Sequence, residues 1–235
     1  MSIFLGLSLI AVPILFNWMF ASLAKQFEYP EILRQPTALV LAKFRSGGSR
    51  LVITWWLFAM SALLFGVIAV LLPSLFQLQA STAVLVCALG ALASFTQVLG
   101  LIRWPFMVPH LAREAEDADE QTLKAIDVVF QSFNRFLGVA VGEHLGYLFT
   151  GLWTASLGGA LLALNPSSHS GWYLVFGSLG LVLGLLLVIC SLEFVGKNEP
   201  KGWAFAGAIT PYVYIAWSLW LVAMGASILL GTLAK

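Results

Sequence analysis

Between residues 103 and 151 the chain gathers ionisable side chains, two of its three histidines and a ladder of glycines. Glu143 and Tyr147 share one face of a helix, and His144 stands beside them. An acid, an imidazole and a phenol at the mouth of a membrane span are costly unless paired or wet. They are therefore the default place to look for a ligand or ion site. Arg103, at the inner end of the preceding apolar run, lies at the depth of Glu143. Two uses follow. One is a structural Arg103–Glu143 ion pair. The other is a binding site for a small or lipid-like ligand, lined by Arg103, Arg135, Glu143, His144 and Tyr147. His110 and His144 offer a third chemistry, since two neutral imidazoles could hold a haem iron or join Glu143 at another metal. Their spacing matches no strict metal motif, so no cofactor is the leading expectation. No His-Glu-x-x-His zinc site, paired-glutamate protease pattern or Gly-x-Ser-x-Gly nucleophile turn occurs, and no enzyme class is indicated.

The elements that must position these groups are membrane helices. Hydrophobic residues make up 60% of the chain and charged residues 10%, with a mean hydropathy of +0.93. Soluble domains run at roughly 45–50% apolar and about 25% charged. The expected fold is an all-α polytopic membrane bundle in one domain, residues 1–235, with six spans near 2–23, 51–76, 82–102, 145–164, 171–192 and 208–233. Of the twelve lysines and arginines, eleven fall in alternate connections and only Lys235 lies elsewhere. The side they share is then cytoplasmic, and both termini lie outside. The acidic residues share that side too, so the outer surface, where His169 lies, is nearly uncharged. A net charge of +1 gives no reason to expect a nucleic-acid partner. The first run is read as a retained span, because it lacks a basic front end and is followed by a basic segment.

Three features concern packing. Gly138, Gly142 and Gly146 repeat every four residues, a ladder for close helix approach, or room for a flat ligand. In the third span Ala83, Cys87, Gly90, Ala91 and Ser94 form a small-residue face, and Gln97 is expected to hydrogen-bond a neighbouring helix. Pro13 and Asn17 suggest a kink and a helix contact. Cys87 and Cys190 belong to opposite ends of their spans, separated by about 20 Å along the membrane normal at ~1.5 Å per residue, so both should be free, buried thiols.

Two pieces should lie in the cytoplasmic interface. Pro36 opens a short helix that Gly47-Gly48 ends, with Val40, Leu41 and Phe44 on one side. A second, amphipathic helix covers about 118–142, beginning at an acidic run and carrying Ile126, Phe130 and Phe133 on one side. If the protein is instead a structural or regulatory subunit, this second helix would dock a protein partner through Phe130 and Phe133. A homo-oligomer is also open.

The segments Phe27-Glu28-Tyr29-Pro30-Glu31-Ile32-Leu33-Arg34, the later Gly47-Gly48, Arg103-Trp104-Pro105, Pro109-His110-Leu111-Ala112 and Gly142-Glu143-His144-Leu145-Gly146 resemble the pattern of a bacterial integral membrane family, the domain of unknown function 4386. The resemblance implies a small inner-membrane protein of about six or seven spans. It implies no activity and no ligand residues.

Overall fold

In the computed structural model, residues 1–168, 171–199 and 201–233 are described; His169 and Lys235 lie outside them. Six helices are long and apolar enough to cross a membrane, as the apolar runs predict. They are α1 (Ser2–Phe27), α2 (Thr37–Leu75), α3 (Ala80–Glu114), the long helical stretch Glu120–Leu164, α6 (Gly171–Ser191) and α7 (Ala204–Leu229). The long stretch comprises α4 (Glu120–Phe133), a π-helix (Asn134–Leu145) and α5 (Gly146–Ser168).

The spans follow one another around a closed ring. α1 packs on α2, α2 on α3, α3 on α5, α5 on α6, α6 on α7, and α7 back on α1. Each helix of the ring sends apolar side chains inward, among them Leu9, Phe65, Val86, Leu157, Leu187 and Met224, into one buried core. Removing a Leu or Phe side chain from water is worth roughly 1.5–3 kcal/mol. Among lipid tails that term is spent on inserting each helix, so packing of the inserted helices rests on contact and hydrogen bonding. A second core lies at the end of the bundle where the charges gather. It joins Phe27, Phe44, Trp55, Trp104 and Phe130.

Several boundaries differ from expectation in instructive ways. The short helix expected before the second span exists, but it runs into that span with a single break at Gly48 (φ 55, ψ −155). Only glycine takes that conformation cheaply, so one residue suffices to turn the helix. The amphipathic helix predicted to about residue 142 is α-helical only to Phe133 and then widens into twelve residues of π-helix. Wide turns of this kind are rare and often mark functional segments. At the start of α4, Asp119 accepts from the backbone N–H of Thr122 at 2.8 Å. That bond holds the Asp119 carboxyl below its ordinary range.

Asn17 makes the helix contact expected of it. Its Nδ2 donates to the Pro13 carbonyl at 2.8 Å and to Ser218 Oγ of α7 at 2.9 Å. Both cysteines are free and Cys190 is buried, but Cys87, expected to be buried as well, is only half-buried.

Candidate functional site

The glycine ladder positions the charged end. Gly146 faces Gln97, Gly142 faces Gly100, and Gly138 faces Arg103, so the ladder runs antiparallel along α3. A Cβ on Gly100 would lie 2.6 Å from the Gly142 Cα, which means the two backbones touch. The ladder's use is therefore packing. Gln97 Nε2 donates to Thr150 Oγ1 at 2.8 Å, the interhelical bond its amide suggests.

Arg103 is 8% exposed, despite its charge. Its guanidinium donates to the Gly100 carbonyl and to Asn134 Oδ1 at 2.9 Å. It also lies 5.2 Å from the centre of the Trp104 ring. Gly138 supplies the room, for a Cβ there would come 2.6 Å from Nη2. The direct Arg103–Glu143 pair expected from matching depth does not form among the described residues. The Arg103 donors turn toward the first turn of the π-helix, and Glu143 stays within electrostatic reach only.

Below Arg103 the second core is aromatic. Trp55 and Trp104 stack with ring centres 4.5 Å apart and 9° between planes. Phe27 meets both rings edge-on, as does Tyr29 with Trp55 and Phe130 with Trp104. Burial, reinforced by Glu143 and opposed by Arg103, pushes the Tyr29 phenol well above its usual range, so it stays protonated. The segments around Tyr29, Arg103 and Glu143, scattered in sequence, thus converge at one place.

Of the five residues predicted to line a site, Glu143, His144 and Tyr147 come together. With Val139, Cys190, Ser191, Glu193 and Phe194 they line a partly open cavity of about 10 Å³, about the space a single water needs. His144 Nδ1 lies 2.7 Å from the Ser191 carbonyl. A carbonyl only accepts, so Nδ1 carries the hydrogen, and in the neutral ring Nε2 is left as an acceptor. Glu193 comes from the turn after α6, and its Oε1 lies over the first turn of α7, 2.7 Å from where a Gly207 Cβ would stand. Burial pushes the Glu193 carboxyl up, and Arg34 partly offsets the rise.

Behind the cavity a polar track enters the bundle. Tyr147 meets Tyr214 edge to face at 5.0 Å. The Tyr214 hydroxyl is buried near Thr150 without a well-formed hydrogen bond. Beyond it, Trp217 Nε1 donates to Thr154 Oγ1 at 2.9 Å, and Thr154 Oγ1 donates to the Thr150 carbonyl at 2.7 Å. Trp153, Leu157 and Leu161 then form part of the apolar core farther along α5.

The other two predicted residues lie apart from the cavity. Arg103 faces Asn134, and Arg135 is exposed, its guanidinium paired with the Glu199 carboxylate. Beside Arg135 is a shallow groove lined by Gln131, Ser132, Phe136 and Ala140. His110 is exposed, 3.8 Å from Glu114, and is not among the cavity's lining residues. The structure does not bring His110 and His144 to one cavity, and the space beside His144 is far smaller than a porphyrin. Among the described residues no cluster of three or more His, Cys, Asp or Glu side chains could hold a metal ion. Phe130, predicted to dock a partner, is buried against Trp104, while Phe133 and Phe136 are exposed. α4 is held to the start of α2 by Asp127, which accepts from Thr37 Oγ1, and by Gln131 Nε2, which donates to it at 2.9 Å.

Glu193 and Ser191 were not singled out from the sequence. The available signal was depth, since Glu193 follows the inner end of the fifth span just as Glu143 precedes the fourth. A family model described as Domain of unknown function (DUF4386) matches residues 4–225. No curated protein and no solved structure matches the chain.

Proposed function

The chain belongs to this family of unknown function, and from that premise we propose that it binds a small polar ligand at the charged end of a multi-pass membrane bundle, as a binding or transport protein. The observation that carries the reading is the convergence of Glu143, His144 and Tyr147 with Glu193 and Ser191 on one cavity. Ionisable groups at such a place cost free energy that packing alone does not require, which supports a functional use. The cavity is about 10 Å³, so a ligand larger than water requires it to widen. The Ser191–Phe194 end of α6 would have to part from the π-helix, breaking the His144–Ser191 hydrogen bond. The polar track past Tyr147 and Tyr214 gives the ligand a direction into the bundle, ending at the apolar core. The clustering of lysine and arginine at this end supports a cytoplasmic orientation for it, with both termini outside.

Native mass spectrometry of the gently solubilised protein tests this. A discrete added mass should accompany the wild-type chain and be lost from Glu143→Gln and His144→Gln. A mass retained by both variants, or mixed lipids alone, would overturn it.

A second reading, a subunit docked by a membrane partner, is favoured by one observation. Val128, Phe133 and Phe136 are exposed along α4 and the π-helix. Photocrosslinking from Phe136 in native membranes should then give a discrete heterologous product; lipid adducts alone would remove it.

A further inference from the structure

We propose that Arg135 controls access to the cavity. Paired with Glu199, it fastens the chain that leaves α6 against the π-helix, and release of that ion pair lets the cavity widen. The inference rests on reading this cavity as the ligand site, and it adds how the site is held shut.

A ligand larger than water requires one wall to move. The wall that carries Glu143, His144 and Tyr147 is fixed. Gly142 touches Gly100 of α3 by backbone, and Gln97 of α3 bonds Thr150. α5 is fixed against α6 in the same manner. A Cβ on Gly151 would lie 2.6 Å from the Gly184 carbonyl oxygen, and one on Gly158 would lie 2.7 Å from the Leu181 nitrogen. Backbones packed this closely have no room to slide.

The opposite wall, Cys190 to Phe194, lies where α6 ends at Ser191. Beyond that point the chain is held by single turns. The Val195 N–H donates to the Leu192 carbonyl at 3.2 Å, and a three-residue 3-10 helix, Gly196–Asn198, follows. Gly196 takes φ 64 with nothing within 4 Å of where a Cβ would stand, so the arm from Leu192 to Glu199 has a swivel in open space. The Trp203 N–H donates to the Glu193 carbonyl at 2.6 Å, which makes the arm move with the first turns of α7. Pro211 inside α7 cannot donate to the carbonyl one turn back, and this gives those turns a place to bend.

Two side chains of the π-helix tie the arm down. His144 Nδ1 meets the Ser191 carbonyl at the arm's base. Arg135 meets its far end. The guanidinium donates to the Glu199 carboxylate and, at 2.6 Å, to the Glu199 carbonyl, and it lies 5.9 Å from the centre of the Phe194 ring. Phe194 lines the cavity and Arg135 does not. Arg135 is thus a positioning residue, acting on the cavity through Glu199 and Phe194. Both members of the ion pair are exposed. Exposed pairs are weak and are screened by salt, so this one biases the arm without locking it.

Cys190 reports the opening, because it is buried and lines the cavity, and Cys87→Ser leaves it as the one thiol. The full chain carrying Cys87→Ser is placed in lipid nanodiscs, and modification of Cys190 by an uncharged, water-soluble maleimide is timed at low and high salt. Arg135→Gln and Glu199→Gln should each raise the low-salt rate about two- to fivefold, the range an exposed ion pair supports. Both should also abolish the acceleration by salt that the parent shows, and Arg135→Lys should retain part of it. Hydrogen exchange of the peptide covering Leu192–Glu199 should quicken in the same variants, and it decides if Cys190 proves unreactive throughout. If Arg135→Gln fails to fold, Glu199→Gln decides, since it leaves the π-helix intact. Unchanged labelling and exchange, or an acceleration by salt that survives Arg135→Gln, would overturn the proposal. A copurifying mass lost in Glu143→Gln while the arm's rates stay unchanged would sink the clasp and leave the ligand reading standing. Faster opening with no copurifying mass would do the reverse.

Discussion

Replacing Gly100 by alanine would put a Cβ 2.6 Å from the Gly142 Cα and 3.1 Å from the Leu137 carbonyl. Non-bonded carbons sit best at about 3.5–4.0 Å, so α3 and the π-helix must separate by about 1 Å. Both nearest atoms are backbone, and neither can rotate away. Separation at this point would also stretch the Gln97–Thr150 bond on one side and the Arg103–Asn134 bond on the other. Overpacking of this kind costs about 1–3 kcal/mol. For a chain of this length that corresponds to a fall in Tm of about 2–4 °C per kcal/mol. The control is Gly159→Ala, where the nearest atom to a new Cβ is Leu181 Cδ2 at 4.0 Å. There the same change should be neutral or stabilise by up to about 1 kcal/mol, because glycine is the poorer helix former. Thermal unfolding of both variants in one detergent, followed by tryptophan fluorescence, compares them. A Gly100→Ala protein as stable as wild type would refute the backbone contact between α3 and the π-helix.

Other consequences can be checked in the same way. Gln97→Leu removes the bond to Thr150 and should lower stability by roughly 0.6 kcal/mol, the usual worth of such a bond inside a membrane protein; no loss would mean the amide is idle. The double reversal Arg103→Glu with Glu143→Arg should not restore the yield lost by either single change, because the Arg103 bonds go to Asn134 and Gly100. Recovery in fluorescence-detected size exclusion would show that a direct pair dominates after all. Glu193 binds its proton more tightly in the folded chain than unfolded. Its contribution to stability is therefore complete below the ordinary carboxylate range and is lost as pH rises through its raised value. Melting curves across that window should flatten in Glu193→Gln, and an unchanged slope would count against the burial of this group.

Composition and spacing alone determined the class, the count of spans and the end at which the charges gather. Six apolar runs of about twenty residues have one inexpensive home, since a lipid core leaves a helix no alternative for its backbone hydrogen bonds. The Gly138-Gly142-Gly146 repeat likewise announced a close helix contact, and Gln97 its interhelical bond, because small side chains and amides inside a membrane have few other uses. Local pattern grouped Glu143, His144 and Tyr147 but left open which groups from other helices would meet them. Arg103 and Glu143 match in depth, yet depth leaves rotation about the helix axis open. That rotation is set where Gly100 and Gly142 touch, and it turns Arg103 toward Asn134. The widening of Asn134–Leu145 into a π-helix also changes which face Glu143 and His144 present. Glu193 joins them from a turn some fifty residues later, placed by the packing of α6 on α5. The ring of helices, closed by α1 against α7, is what converts a list of polar residues into one cavity, because only packed backbones fix the rotation and register that bring side chains together.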